Sequence, residues 1–130
     1  MICLLHGPGG SGKSIVLNTV IAYATEYCHK LRHSFTSKTV VVTAMSGVAA
    51  MLLHGQTTHK ALCLNCKSIC SKEIKKWANA RLLIINEISF ASKNDILKME
   101  ANICVLMTNK FTKYGGLNIV LLVIILNWCL

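Results

Sequence analysis

Gly7-Pro8-Gly9-Gly10-Ser11-Gly12-Lys13-Ser14 follows the apolar run Ile2-Cys3-Leu4-Leu5 and precedes a stretch whose apolar residues recur at helical spacing. A G-x-x-x-x-G-K-[ST] pattern between a strand and a helix is the signature of a phosphate-binding loop, and each position in it has a physical reason. Glycines let successive backbone N–H groups curl around phosphate oxygens where a Cβ would intrude. A lysine at position 13 reaches the β- and γ-phosphates, and the Ser14 hydroxyl is placed to ligate Mg²⁺. The following helix turns its positive end toward the same anion. Gly7, Gly9, Gly10, Ser11, Gly12, Lys13 and Ser14 are therefore expected to hold a nucleoside triphosphate.

Outward from this loop, strand-like and helix-like segments alternate. Ile15, Val16, Val20, Ile21 and Ala24 share one helical face, which predicts a buried helix fading near His29. Residues 30–38 are polar and basic and read as a loop. Residues 39–43, Thr-Val-Val-Val-Thr, are β-branched throughout and predict a strand. A short helix over 46–53 ends at Gly55, and Ser71 is expected to cap a second one over 72–80 with Glu73 in its first turn. Leu82-Leu83-Ile84-Ile85 predicts a buried strand ending at Asn86-Glu87. Ser92 caps a helix that sets Ile96, Met99, Ile103 and Met107 on one stripe. Tyr114-Gly115-Gly116 makes a turn into a last strand over 118–126, and the first run, 2–5, is likewise expected to be a buried strand. Strands alternating with helices imply one α/β domain, a parallel sheet with helices on both faces.

Composition narrows the partners. With 53% apolar and only 15% charged residues in 130, the sheet must be covered on both faces or lack part of its cover. Fourteen basic residues against five acidic ones, a formal charge of +9, favour a polyanion, with nucleic acid first. The N-terminus has no basic segment or cleavage site, so the seven cysteines are expected to be reduced thiols in the nucleus or cytosol of an unsecreted protein. The apolar run 119–126 falls far short of the ~20 residues a bilayer crossing needs, so no membrane partner is expected. His59, Cys63, Cys66 and Cys70 have the composition of a zinc site. Structural zinc usually draws its ligands from two separated segments, and these share one, so no zinc is expected. Lys67, Lys72, Lys75, Lys76 and Arg81 surround Trp77, which fits either a single-strand-binding surface with a stacking aromatic or a solvated helix face over a half-buried one. Asn109-Lys110 supplies the first half of a guanine-reading N-K-x-D, but Thr112 stands where the aspartate belongs.

Three further stretches follow the loop in a fixed order: Thr43-Ala44-Met45-Ser46-Gly47-Val48-Ala49-Ala50 with Gly55-Gln56-Thr57-Thr58-His59, then Leu83-Ile84-Ile85-Asn86-Glu87-Ile88-Ser89, then 115–122, Gly-Gly-Leu-Asn-Ile-Val-Leu-Leu. Together they resemble the Pif-type (petite-integration-frequency) DNA helicases of superfamily 1B, a group that includes the helicase parts of Helitron transposons. The resemblance covers residues 1–122 and implies an incomplete RecA-like P-loop motor domain, with 123–130 a divergent end. It implies an ATP hydrolase that moves 5′ to 3′ on single-stranded DNA and unwinds duplexes in recombination, repair and telomere maintenance. It places the protein in the nucleus, with mitochondrion or cytoplasm as alternatives. Carried over by position, Lys13 and Glu87 would be catalytic, Glu87 orienting and deprotonating the attacking water. ATP would lie on the glycine loop and Mg²⁺ on Ser14 and Asn86. Thr43, Ser46, Gly47, Thr58 and His59 would line the DNA path.

The departures from the family pattern imply impaired turnover. Asn86 replaces an aspartate of the Mg²⁺ shell, and such a loss costs about 10–100-fold in metal affinity or activity. Val123-Ile124-Ile125 stands where a glycine-aspartate pair, then glutamine and prolines, sense the γ-phosphate. The adenine-reading segment and the second motor domain with its arginine finger are expected to be missing. A non-catalytic nucleotide- or DNA-binding remnant of a decayed transposon helicase is the alternative.

Overall fold

Residues 82–85 are apolar at every position, so as a strand they have no face to give to water and must lie inside a sheet covered on both sides. The computed structural model describes residues 1–32 and 34–125 and places them there. Five strands, β1 (Ile2–Pro8), β2 (Val40–Ala44), β3 (Gln56–Thr57), β4 (Leu82–Asn86) and β5 (Asn118–Ile125), form one sheet in the order β1-β5-β4-β2-β3. Every pairing is parallel, which demands the crossover helices. These are α1 (Lys13–Lys30), α2 (Gly47–Leu52), α3 (Thr58–Ala61), α4 (Ser71–Trp77) and α5 (Lys93–Leu106).

Alternate side chains of β4 serve opposite faces, as strand geometry requires. Leu82 and Ile84 pack with Leu17 of α1 and with Val120 and Leu122. Leu83 and Ile85 pack with Met99, Ile103 and Leu106 of α5 and with Trp77 and Leu62. The expected parallel sheet with helices on both faces is what forms.

Several local expectations fail. β1 is an edge strand rather than a buried one: Ile2 and Leu4 are 50% and 56% exposed, since β5 is its only strand neighbour among the described residues. The buried face of α1 is Leu17 with Val20, Ile21 and Ala24, whereas Ile15 and Val16 point outward. The phosphate loop fixes the first turn of α1, so the loop and not the most apolar stripe sets the helix rotation. Ile96 of α5 is exposed, and Leu106 takes a buried place beside Met99 and Ile103. α4 starts at Ser71 itself, and Cys70 is the capping residue without a side-chain bond. Trp77 is buried in the main core, so it is not the stacking platform the basic cluster suggested. β5 runs through the expected boundary at 122, pairing Val123 with His6. Of the stretch expected to diverge, 126–130 lies outside the described residues.

Candidate nucleotide and nucleic-acid site

The end of β1 and the start of α1 are joined by a bowl of backbone. Ser11 N–H donates to the Pro8 carbonyl, and Gly12 caps α1 with φ 81°, an angle that an L side chain strains to adopt. At Gly7 the constraint is space instead: a Cβ there would come within 2.7 Å of Ser11 Oγ. The Lys13 ammonium lies inside the bowl and donates to the Gly7 carbonyl (2.9 Å), the Pro8 carbonyl and Ser11 Oγ (3.1 Å). The loop's own oxygens are thus its acceptors.

A cavity of about 350 Å³ opens beside the bowl, lined by Gly9, Gly10, Gly12, Lys13, Ser14 and Asn86, with Leu17, Leu53 and Leu122 as an apolar wall. Asn86 reaches it from the far end of β4, so two segments more than seventy residues apart meet at one small site. Oxygen donors for a hard cation are present in the Ser14 hydroxyl and the Asn86 amide oxygen. The cavity therefore suits a phosphate–Mg²⁺ group, with one carboxylate fewer than such sites ordinarily use. The leucine wall was not foreseen from sequence: Leu53 lies outside the quoted stretches, and Leu122, at the end of the last one, reads there only as part of a buried strand.

Register decides the rest. Ala44 of β2 pairs with Asn86 of β4, and Met45 N–H donates to the Asn86 carbonyl (3.1 Å). One residue further along, the Ser46 hydroxyl donates to Glu87 Oε2 at 2.7 Å. Ser46 also caps α2 by accepting from Ala49 N–H, so a single hydroxyl joins the expected catalytic carboxylate to the start of that helix. Glu87 itself sits at φ 60°, a left-handed backbone that aims its side chain off the strand axis. Gly47 is exposed beside it.

Thr43 and Thr58 have another role than the expected one. Both are completely buried: Thr58 Oγ1 donates to Thr43 Oγ1 (3.1 Å), which donates to the Ile84 carbonyl (2.9 Å). Their hydroxyls cannot line a path at the surface. They are struts that hold α3 and β2 to β4. His59, one residue beyond Thr58, is partly exposed, with Nε2 3.7 Å from Asp95 Oδ1. Hydrogen bonds from the Ser92 hydroxyl and backbone N–H hold the Asp95 carboxyl below its ordinary value, and His59 adds to this. A larger groove, about 880 Å³, adjoins His59 and includes Lys38, Lys60, Lys76 and Cys63. It does not touch the phosphate bowl. Among the described residues, no three His, Cys, Asp or Glu side chains are placed to share a metal ion. No helix there is long and apolar enough to cross a membrane.

A family model described as PIF1-like helicase matches residues 1–122. The ATP-dependent DNA helicase RRM3 of Saccharomyces cerevisiae is 29% identical over 127 residues, an alignment covering 88% of this chain and 16% of RRM3. Uncharacterized protein 030L of Invertebrate iridescent virus 6 is 27% identical, over 90% of this chain and 23% of that protein. The chain therefore spans under a quarter of the length of these relatives. Among solved structures, Pif1 helicase from Candida albicans superposes with a TM-score of 0.72 at 26% identity, over 95% of this chain and 28% of that one. Pif1 from Bacteroides, solved in complex with ADP-AlF3 and ssDNA, shares the fold at a TM-score of 0.73 and 19% identity, with 95% and 28% covered.

Proposed function

We propose that this chain, which belongs to the PIF1-like helicase family, is the part of an ATP-dependent DNA motor that grips MgATP and senses single-stranded DNA, with weak turnover of its own. The observation that carries the reading is the hydrogen bond between Ser46 and Glu87, which ties the hydrolysis corner to the segment expected to meet DNA. In this reading the loop N–H groups and Lys13 take the phosphates, Lys13 exchanging its carbonyl partners for phosphate oxygens. Ser14 and Asn86 hold Mg²⁺, which when bound would neutralise charge developing on the phosphates. Glu87 orients the attacking water through the oxygen that Ser46 leaves open. DNA pressing on Gly47 and the start of α2 shifts Ser46, and with it the carboxylate, so strand binding and water activation are linked.

Single-stranded DNA is the partner, its phosphates drawn by the +9 charge. Unwinding, 5′-to-3′ movement and work in recombination, repair or telomere maintenance are proposed only for a whole motor, since this chain spans 16% of RRM3 and 23% of protein 030L. The nucleus is the compartment we assign to that work. One observation favours a non-catalytic binding module instead: Asn86 puts a neutral amide where the Mg²⁺ shell wants charge.

Calorimetry with MgATP, and phosphate release with and without single-stranded DNA, test the proposal. We expect ATP binding that Lys13→Ala abolishes, trace hydrolysis, and no unwinding. Equal ATP affinity in both proteins would sink the nucleotide site. Robust Lys13-dependent, DNA-stimulated turnover would sink the claim of weak catalysis.

A further inference from the structure

Cys63-Leu64-Asn65-Cys66 is a C-x-x-C stretch between α3 and α4 that nucleotide and DNA binding leave unused. Cys66 N–H donates to the Cys63 carbonyl at 3.0 Å, closing a four-residue turn. Such a turn brings its end Cα atoms within about 7 Å, and a disulfide spans about 4.4–6.8 Å. The turn is held from outside as well. Leu64 N–H donates to the His59 carbonyl (2.9 Å), and the Asn102 side-chain amide of α5 donates to the carbonyls of Leu62 (2.7 Å) and Cys63 (3.3 Å). Cys63 has φ 54°, left-handed backbone that these bonds stabilise. Both cysteines line the wall of the larger groove. Cys63 is buried, 6% exposed, whereas Cys66 is open to solvent.

We propose that Cys63 and Cys66 form a dithiol–disulfide centre, closed by low-molecular-weight disulfides of the glutathione class. The exposed Cys66 thiolate attacks one sulfur of the small disulfide, forming a mixed disulfide and expelling one small thiolate. Cys63 then loses its proton to solvent and attacks the Cys66 sulfur. The Cys63–Cys66 bond forms, the second small thiolate leaves, and the two released protons end on the small thiols. Two protein thiols are oxidised by two electrons and one small disulfide is reduced to two thiols. Order of attack follows from environment. Burial, reinforced by the neighbouring Cys66 and the Glu73 carboxylate, pushes the Cys63 thiol up, so it serves as the resolving partner rather than the first nucleophile. Cys3, Cys28 and Cys104 sit on β1, α1 and α5, apart from this turn.

The test treats the folded chain with oxidised glutathione, alkylates the remaining thiols and maps the peptides by mass. The expected product has lost two of its seven thiols to a link within the 63–66 turn, with no lasting glutathione on Cys66. Resolution of the Cys66 adduct should be at least about tenfold faster folded than in urea, because the closed turn holds the two cysteines near each other. Cys63→Ser should trap glutathione on Cys66. Should that buried change prevent folding, the exposed Cys66→Ser decides the question: Cys63 should then stay unmodified. A persistent adduct on Cys66 in the unsubstituted chain, a Cys66–Cys70 link as main product, equal rates folded and unfolded, or a reactive Cys63 in Cys66→Ser would each overturn the proposal.

Discussion

Replacing Thr58 with valine keeps the side-chain shape but removes one hydroxyl from a relay of two buried hydrogen bonds, Thr58 to Thr43 and Thr43 to the Ile84 carbonyl. Both threonines are 0% exposed, so water cannot stand in for a lost partner. In Thr58→Val, Thr43 still donates to Ile84, and the cost is that of one net hydrogen bond, about 0.5–1.5 kcal/mol. In Thr43→Val, the Thr58 O–H loses its acceptor and the Ile84 carbonyl loses a donor. A buried hydroxyl left with nothing to donate to costs about 1–3 kcal/mol. With both replaced, no hydroxyl is stranded, so the double variant should cost no more than Thr43→Val alone. The singles should therefore overshoot the double by at least about 0.5 kcal/mol, the lower end of the coupling seen between contacting residues. Urea denaturation of the four proteins at unchanged m measures this. Additive costs, or Thr58→Val costing more than Thr43→Val, would refute the relay. A fall in single-stranded DNA affinity in Thr58→Val without loss of stability would show that this hydroxyl meets DNA after all.

Asn86→Asp should tighten Mg²⁺ binding to the nucleotide complex by about 10–100-fold, since a carboxylate replaces an amide at the phosphate cavity. Isothermal titration of Mg²⁺ checks it, and unwinding should remain absent. Single-stranded DNA affinity, read by fluorescence anisotropy, should fall steeply with salt as counterions are released, and His59→Ala should lower it at fixed salt while MgATP affinity holds. Salt-independent binding would remove the polyanion reading. The Asp95 carboxyl is held below its ordinary value of 3.8 by Ser92, so its contribution to stability is present above that value and fades as pH falls through the lowered one. The stability advantage over Ser92→Ala should accordingly be full at neutral pH and shrink below pH 3.8. A gap that widens on acidification in urea melts would contradict it.

What could be read from sequence is what acts over a few adjacent residues. The phosphate loop is eight contiguous residues, and its bowl follows from where glycine sits and where a lysine can reach. Strands such as 82–85 declare themselves because an unbroken apolar run has no solvent face, and the alternation of such runs with helical spacing leaves a parallel sheet as the consistent answer. Even the capping box of Ser92 and Asp95 is local. The tertiary structure decided what depends on register between distant strands. Thr43 could face either water or the interior, and pairing Val42 with Ile84 and Thr43 with Ile85 turned it inward, where Thr58 meets it. The same register, with Ala44 beside Asn86, put Ser46 against Glu87 across 41 residues, a contact for which neither residue carries a local signal. β1 looked buried because apolarity says how a strand would prefer to sit, whereas its place in the order β1-β5-β4-β2-β3 says what is there to cover it. Local chemistry is written in neighbouring residues, but the partner of a side chain is set by how parallel strands align, and a slip of one residue sends every side chain to the other face.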